Sequence, residues 1–293
     1  MRVSDGMRLD QLTTQMTQLS QRELAASRTA STGMRIGAPS DDPVAAAQAA
    51  RVQASLDATD GYRTAIRNVR GDADMAETTL ATAGDILTRA GELAMQGANG
   101  SLSASDRAAM AQEVTQLRDQ MVTLANTKGS TGYLFGGTAS ATPPFDAAGN
   151  FTGNANDKVV EVGANVSMTV NVSGAQTFTA AGGLDVFAQL SNLQNALATN
   201  NVAALSPSVN TLDTSRRQVL AARLDAGTKL ARLDTADSAH QAGITTLSTE
   251  RAGLLDADPA AAYTKLQAAQ SAVEQSIAVA RTTLNTLSLN RFG

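Results

Sequence analysis

The sequence predicts a mainly α-helical protein: a long antiparallel helical rod or coiled coil built from both chain ends, with a small β-rich outer domain inserted in the middle. Three observations lead there. Apolar residues recur every three or four positions near both termini, and two Asp-Pro steps, Asp42-Pro43 and Asp258-Pro259, mark helix starts at mirrored places. Aromatic residues make up only 3% of the chain, with no Trp, which suits thin helices burying Ala and Leu better than a large round core.

The first helix is expected over residues 9–32, where Leu9, Leu12, Met16 and Leu19 form a narrow stripe, and it stops at Gly33. Near the other end Leu266, Ala269, Val273, Ile277, Ala280, Leu284 and Leu287 repeat the spacing. Stripes this thin suit a coiled-coil seam and cannot close a globular core. Each terminal helix therefore needs a partner, either the other terminus or another subunit. The assembly interface is accordingly assigned to Leu9, Leu12, Met16, Leu19, Val273, Ile277, Leu284 and Leu287.

After Gly33 the chain reads as a compact connection. Asp42 is a good N-cap, and Pro43 fits the first helical position, where its missing donor is not needed. From Pro43 the sequence stays helix-compatible to about Gln96; ~54 residues of helix would span ~80 Å. Gly61, Gly71, Gly84 and Gly91 each weaken that helix by ~1 kcal/mol relative to Ala. Gly97-Ala98-Asn99-Gly100 ends it. Ser103 and Asp106 make a capping box, and the helix after them carries Met110, Val114, Leu117, Met121 and Leu124 on one side and ends near Asn126.

At 129–137 the character changes, with Tyr133, Leu134 and Phe135 set between glycines in a turn that tucks Tyr133 and Phe135 inward. Beyond it, Val166, Met168, Val170 and Val172 alternate as in a strand with one buried face, and 158–162 reads as a weaker neighbour. Phe145, Phe151 and Phe178 are expected to supply a small core there. Helix returns over 184–198. After Pro207 a second long helix is expected to about Leu255, and a final one follows Asp258-Pro259. The chain thus divides into an N-terminal helix and connecting loop (1–42), a long-helix rod segment (43–138), a β-rich outer domain (139–183), a returning rod segment (184–257) and a C-terminal helix (258–293). If the chain folds back at the insertion, both termini share one end of the rod and the β-rich part occupies the other.

Composition excludes several functions. A net charge of −4 and a pI near 5.1 leave no basic footprint for nucleic acid and no electrostatic support for anionic membranes. The absence of Cys removes disulfides, thiolate metal sites and thiol catalysis. The first residues mix Arg2 and Arg8 with Asp5 and Asp10 and lack an apolar run, so neither a conventional cleavable signal peptide nor an anchor is expected. No stretch approaches the ~20 apolar residues of a membrane span.

Nothing in the chain points to an enzyme, a cofactor or a metal. The lone His240 has no second imidazole or thiolate for a zinc site and reads as a solvated or hydrogen-bonding side chain. Asp41 with Asp42, and Asp256 with Asp258, precede helix-starting prolines and are explained by capping. Gly129, Gly132, Gly136 and Gly137 lack the Gly-Lys-Ser/Thr of a phosphate loop. The nine methionines read as core filler. What remains is assembly: the terminal stripes suit either a closed dimer or a head-to-tail ring or helical array.

Specific segments then match a known family. Ser31-Thr32-Gly33-Met34-Arg35-Ile36, followed by Pro39-Ser40-Asp41-Asp42-Pro43, resembles the N-terminal signature of the flagellar hook-associated protein 3 family, relatives of flagellin. Residues 92–100, Asp106-Arg107 and Leu124-Ala125-Asn126-Thr127 agree with it. Tyr133-Leu134-Phe135-Gly136-Gly137-Thr138 resembles that family rather than filament flagellin, which more often has Ser-Ala-Lys-Asp-Asp after the Arg-Ile of the first loop. The signature set is Arg35, Ile36, Ser40, Asp41, Asp42, Pro43, Asn126, Tyr133, Phe135, Gly136 and Gly137.

The resemblance implies a structural part of the bacterial flagellum, outside the cell, at the junction between hook and filament. It also implies export by the flagellar type III route without a cleaved signal, an export chaperone, self-association into a junction ring, and contact with hook-associated protein 1 and flagellin. The terminal helices would form an inner tube and the β-rich part would face outward. Filament flagellin is the alternative; an enzyme or adhesin role carried by 139–183 is a third reading.

Overall fold

The computed structural model describes the backbone of residues 2–292 and the side chains of residues 6, 7 and 9–285. The elements in order are α1 (Arg2–Thr32), α2 (Pro43–Gly97), α3 (Ala104–Ala125), β1 (Lys128–Gly129), β2 (Gly132–Tyr133), β3 (Val159–Gly163), β4 (Val166–Thr169), α4 (Gly174–Phe178), a 3-10 turn (Ala180–Gly182), α5 (Val186–Ala198), α6 (Val202–Leu255) and α7 (Pro259–Phe292). The chain is mainly helical, and among the described residues its sheets are two small antiparallel hairpins. It forms two compact units, one of residues 1–57 with 244–293 and one of residues 58–243.

In the first unit α1 packs on α7. Gly33 ends α1 in the left-handed region, at φ 70°, a conformation that a side chain would strain. The chain then bridges Met34 to Asp256. Asp42 caps α2 as expected, its Oδ1 accepting the Ala45 N–H at 3.0 Å, and Asp258 Oδ1 does the same for Ala260 at 2.8 Å. Ala45, Ala49 and Val52 are buried along the start of α2. This stretch keeps small residues at helical spacing, which admits close neighbours.

In the second unit one large core joins α2, α3, α5 and α6. Leu80, Leu87, Leu93, Val114, Met121, Leu190, Leu197, Leu205 and Val219 are among its buried members. The expected capping box is present: Ser103 Oγ accepts from Asp106 N, and the Asp106 carboxylate accepts from Ser103 N. Above the core, Arg63–Asp237 (2.8 Å), Arg70–Asp234 (2.6 Å) and Glu77–Arg223 (2.6 Å) tie α2 to α6. Their α2 members lie one heptad apart while the α6 numbers fall, so the two helices run antiparallel there.

Two expectations change in detail. The second long helix begins at Val202 and passes through Pro207, although proline removes one helical donor. Asn201 caps the start, its Oδ1 accepting from Ala204 N at 3.3 Å, and Leu205 is fully buried. Leu212 is buried beyond the proline as well, and anchoring on both sides keeps those turns helical.

The β content of 139–183 is one hairpin, β3 with β4, with a bulge at Glu161/Gly163 and Asn165 at φ 59° in its turn, and an isolated bridge between Phe145 and Phe151. Met168, Val170 and Val172 alternate inward and Val166 is exposed. The inward residues do not form a separate core. Met168 and Val170 pack with Ile66, Val69 and Leu233 of the long helices, and Phe145 and Phe178 belong to the main core.

Candidate assembly surfaces and signature loops

The terminal pair is antiparallel. At one end Ala257 N–H donates to the Gly33 carbonyl at 2.8 Å and Arg35 N–H to the Leu255 carbonyl at 2.7 Å; at the other, Thr283 lines a groove with Met7, Gln11 and Leu12. Leu12, Met16 and Leu19 are half-buried, and the seam continues through Glu23, Ala26 and Ala30. That makes two interleaved seven-residue repeats, the coiled-coil pattern.

On α7, Val273 and Ile277 are half-buried, but Leu284 is 52% exposed and Thr283 takes the inner position beside it. A straight helix drifts ~20° per heptad, which moves Leu284 off the seam. The Leu287 side chain lies outside the described residues. Leu9 is 39% exposed, and Met7 (67%), Leu24 (65%) and Val279 (55%) also remain open. Of these four only Leu9 lies on the stripe that the sequence shows. The others fall off the stripe, and their one sequence signal is a large apolar side chain on a polar helix.

The first signature loop is a clamp. The Arg35 guanidinium donates through Nη2 to the Leu254 carbonyl at 2.8 Å and lies 3.6 Å from Asp42. Ile36 is buried. The Asp41 Oδ2 accepts from the Gly37 and Ala38 amides at 2.9 and 2.8 Å, closing the loop on itself, and Ser40 is exposed in that turn. The Ala45 amide, with Arg35 adding its charge against a small burial effect, holds the Asp42 carboxyl below its ordinary pKa. Asp42 and Pro43 therefore act as helix start and loop anchor together.

The second signature loop locks the end of α3. The Asn126 side-chain amide pairs with the Phe145 backbone in both directions, donating to its carbonyl at 2.9 Å and accepting from its N–H at 3.0 Å. Phe135 is fully buried and meets Phe178 edge-on at 5.3 Å. Tyr133 is half-buried under the Lys128 ammonium, 5.9 Å from the ring centre. Gly136 passes the Ala139 carbonyl so closely that a Cβ would lie 2.8 Å from it. Gly137, at φ 66°, faces the Asn154 carbonyl with no room for a Cβ. Both glycines are required by backbone packing.

Asp72 has no warning in its local sequence. Its carboxylate accepts from the Ser130 N–H (2.7 Å) and hydroxyl (2.9 Å) and from the Thr131 N–H (3.2 Å) and hydroxyl, pinning the β1–β2 turn to α2. Burial opposes its ionisation, but the Thr131 and Ser130 donors outweigh it and lower the pKa. A lowered native pKa means stability fully present above the unfolded value, ~3.9, and lost as pH falls through the native value. Asp72→Asn is expected to lower stability by ~1–2 kcal/mol at neutral pH and to weaken the acid dependence below about pH 4. Urea midpoints across acid pH check this; identical pH dependence in both proteins would contradict the clamp.

His240 donates through Nε2 to the Val162 carbonyl at 2.7 Å and stacks on Tyr62 at 5.7 Å, so it ties α6 to β3. Among the described residues no group of three or more His, Cys, Asp or Glu is placed to hold a metal. Among them, too, no helix is long and apolar enough to cross a membrane.

Long terminal helices, an Arg-Asp loop clamp between them and a Phe-centred turn define a flagellin-like chain, and residues 4–140 match the bacterial flagellin N-terminal helical region. Flagellar hook-associated protein 3 of Salmonella typhimurium is 30% identical over 262 residues, covering 81% of this chain and 83% of that protein. A flagellar hook-associated protein from Vibrio parahaemolyticus superposes with a TM-score of 0.68 at 26% identity, over 74% of this chain and all of that one. Flagellin D of Vibrio anguillarum matches less, 29% over 159 residues and 40% of its own length. The chain belongs to the flagellar hook-associated protein 3 family.

Proposed function

We propose that this chain is a structural subunit of the bacterial flagellum that forms the junction between hook and filament. The observation that carries this reading is the match to hook-associated protein 3 along most of both chains, where flagellin D is matched over under half of its length. The surface supports it physically: α1 and α7 share a thin seam and leave Met7, Leu24, Val279 and Leu284 uncovered, an apolar remainder that neighbouring subunits would bury.

In this reading residues 1–42 and 258–293 form the inner tube, 43–138 and 184–257 the surrounding rod, and 139–183 the outer part. Leu9, Leu12, Met16, Leu19, Val273, Ile277, Leu284 and Leu287 are its contact residues, within the chain or to a neighbour. The subunits self-associate into a ring with hook-associated protein 1 on one side and flagellin on the other. The chain leaves by the flagellar type III route without a cleaved signal, held for export by a chaperone, and takes no part in catalysis.

A small epitope placed in the β3–β4 turn at Ala164, which is exposed, tests the location. Labelled flagella imaged by electron microscopy are expected to show a single band where hook meets filament. Label spread along the filament would instead support filament flagellin and reject the junction role.

A further inference from the structure

Asn99-Gly100 is the only Asn-Gly step in the sequence, and it sits exposed in the turn between α2 and α3. Three features surround it. The Ser101 N–H and hydroxyl both donate to Asn99 Oδ1, at 3.1 and 3.0 Å. The Asn99 backbone carbonyl accepts from Nη2 of Arg107 at 2.7 Å. The Gly100 N–H has no acceptor, and the space beside its Cα is open.

Arg107 is an unusual neighbour, being 3% exposed. Its guanidinium is held by the carbonyls of Gly97 (2.8 Å) and Leu102 (2.9 Å) and by the Asn200 side chain (2.7 Å). All its hydrogen-bond partners are neutral, so its charge is fixed against the peptide group that joins Asn99 to Gly100.

We propose that Asn99-Gly100 is a self-modifying site, at which the turn promotes closure of the Asn99 side chain onto the Gly100 nitrogen. The Gly100 amide gives up its proton to hydroxide from the alkaline solvent, and the resulting negative charge is shared with the Asn99 carbonyl oxygen, where the guanidinium stabilises it. The nitrogen attacks Cγ of Asn99 and forms a C–N bond. Charge passes to Oδ1, which already holds two donors aimed at it, as in an oxyanion hole. Collapse breaks the bond to the side-chain nitrogen, which leaves with protons as ammonia, and a succinimide remains. Water then opens either imide carbonyl to give aspartate or isoaspartate. No oxidant or reductant takes part, and the new carboxylate arises beside a guanidinium that had only neutral partners.

The test compares the full chain with the free peptide of residues 90–107, in which Asn99 is the only Asn. Both are incubated in mildly alkaline buffer, the chain is then cut after Arg89 and Arg107, and amide loss is followed by mass spectrometry with enzymatic detection of isoaspartate. The folded chain is expected to react about tenfold faster than the peptide, less than a buried oxyanion site provides because the turn is exposed. Ser101→Ala should slow the folded chain and leave the peptide nearly unchanged; it is the decisive variant, since Arg107→Lys can disturb folding. A folded chain that reacts no faster than the peptide, or a folded rate indifferent to Ser101→Ala, overturns the proposal.

Discussion

Leu12→Asp and Leu284→Asp are both expected to abolish filament attachment, and for different reasons. Leu12 is half-buried in the α1–α7 seam, where Met16, Leu19, Val273 and Ile277 are interspersed with small or polar residues such as Ala26, Ala30, Ala269, Ser276, Ala280 and Thr283. A seam so thin has little to spare, and isolated helices of this kind are marginal in water. Removing one Leu forfeits ~1.5–3 kcal/mol of burial at most, and a carboxylate in its place adds a desolvation cost. The free chain should therefore lose helical signal and amide protection in both terminal helices, while residues 58–243 stay folded.

Leu284 is 52% exposed, so its replacement should leave the helix pair of the free chain intact. Its effect should appear on assembly alone, because a charge would enter the face left for neighbouring subunits. Circular dichroism and hydrogen exchange on the purified variants, read beside a motility and filament-retention assay, separate the two. Normal filament retention in both variants would reject the tube-forming role of the termini.

Phe178→Ala should produce the largest loss of stability in the second unit. Phe178 is fully buried and its ring meets Phe135 at 5.3 Å, Phe145 at 5.6 Å and Phe187 at 6.0 Å. Truncating such a residue costs ~3–5 kcal/mol through lost transfer energy and the cavity left behind, with aromatic contacts adding ~0.5–1.5 kcal/mol per pair. Phe151 is only half-buried, so Phe151→Ala should cost clearly less. Urea unfolding followed in the second unit checks the order. Equal midpoints for the two variants would mean that the ring cluster does not hold residues 139–183 to the helices.

Both predictions rest on contacts that the linear sequence shows unevenly. The starts of α2, α3 and α7 were legible because capping is local: Asp42-Pro43, Ser103 with Asp106, and Asp258-Pro259 each satisfy backbone donors within a few residues. The seam was legible from Leu12 to Leu19 and from Val273 to Ile277, where the heptad and the real helix have not yet diverged. One heptad on, Leu284 turns away from it. The core of residues 139–183 was misplaced for a different reason. Composition shows that Phe145 and Phe178 want burial, but it cannot show whether they bury one another alone or join the core of the long helices.

The chain by itself determined the helical class, the helix starts, the paired terminal stripes and the absence of any thiol, since these follow from periodicity, capping and residue type. Tertiary structure alone decided that Asp72 would hold the turn at Ser130 and Thr131, that His240 would meet Val162, and that Arg107 would bind Asn99 and Asn200 together. Each of those joins depends on how long helices align side by side. A small angular drift per turn selects which side chain faces inward, and the partner across the gap has no fixed distance along the sequence.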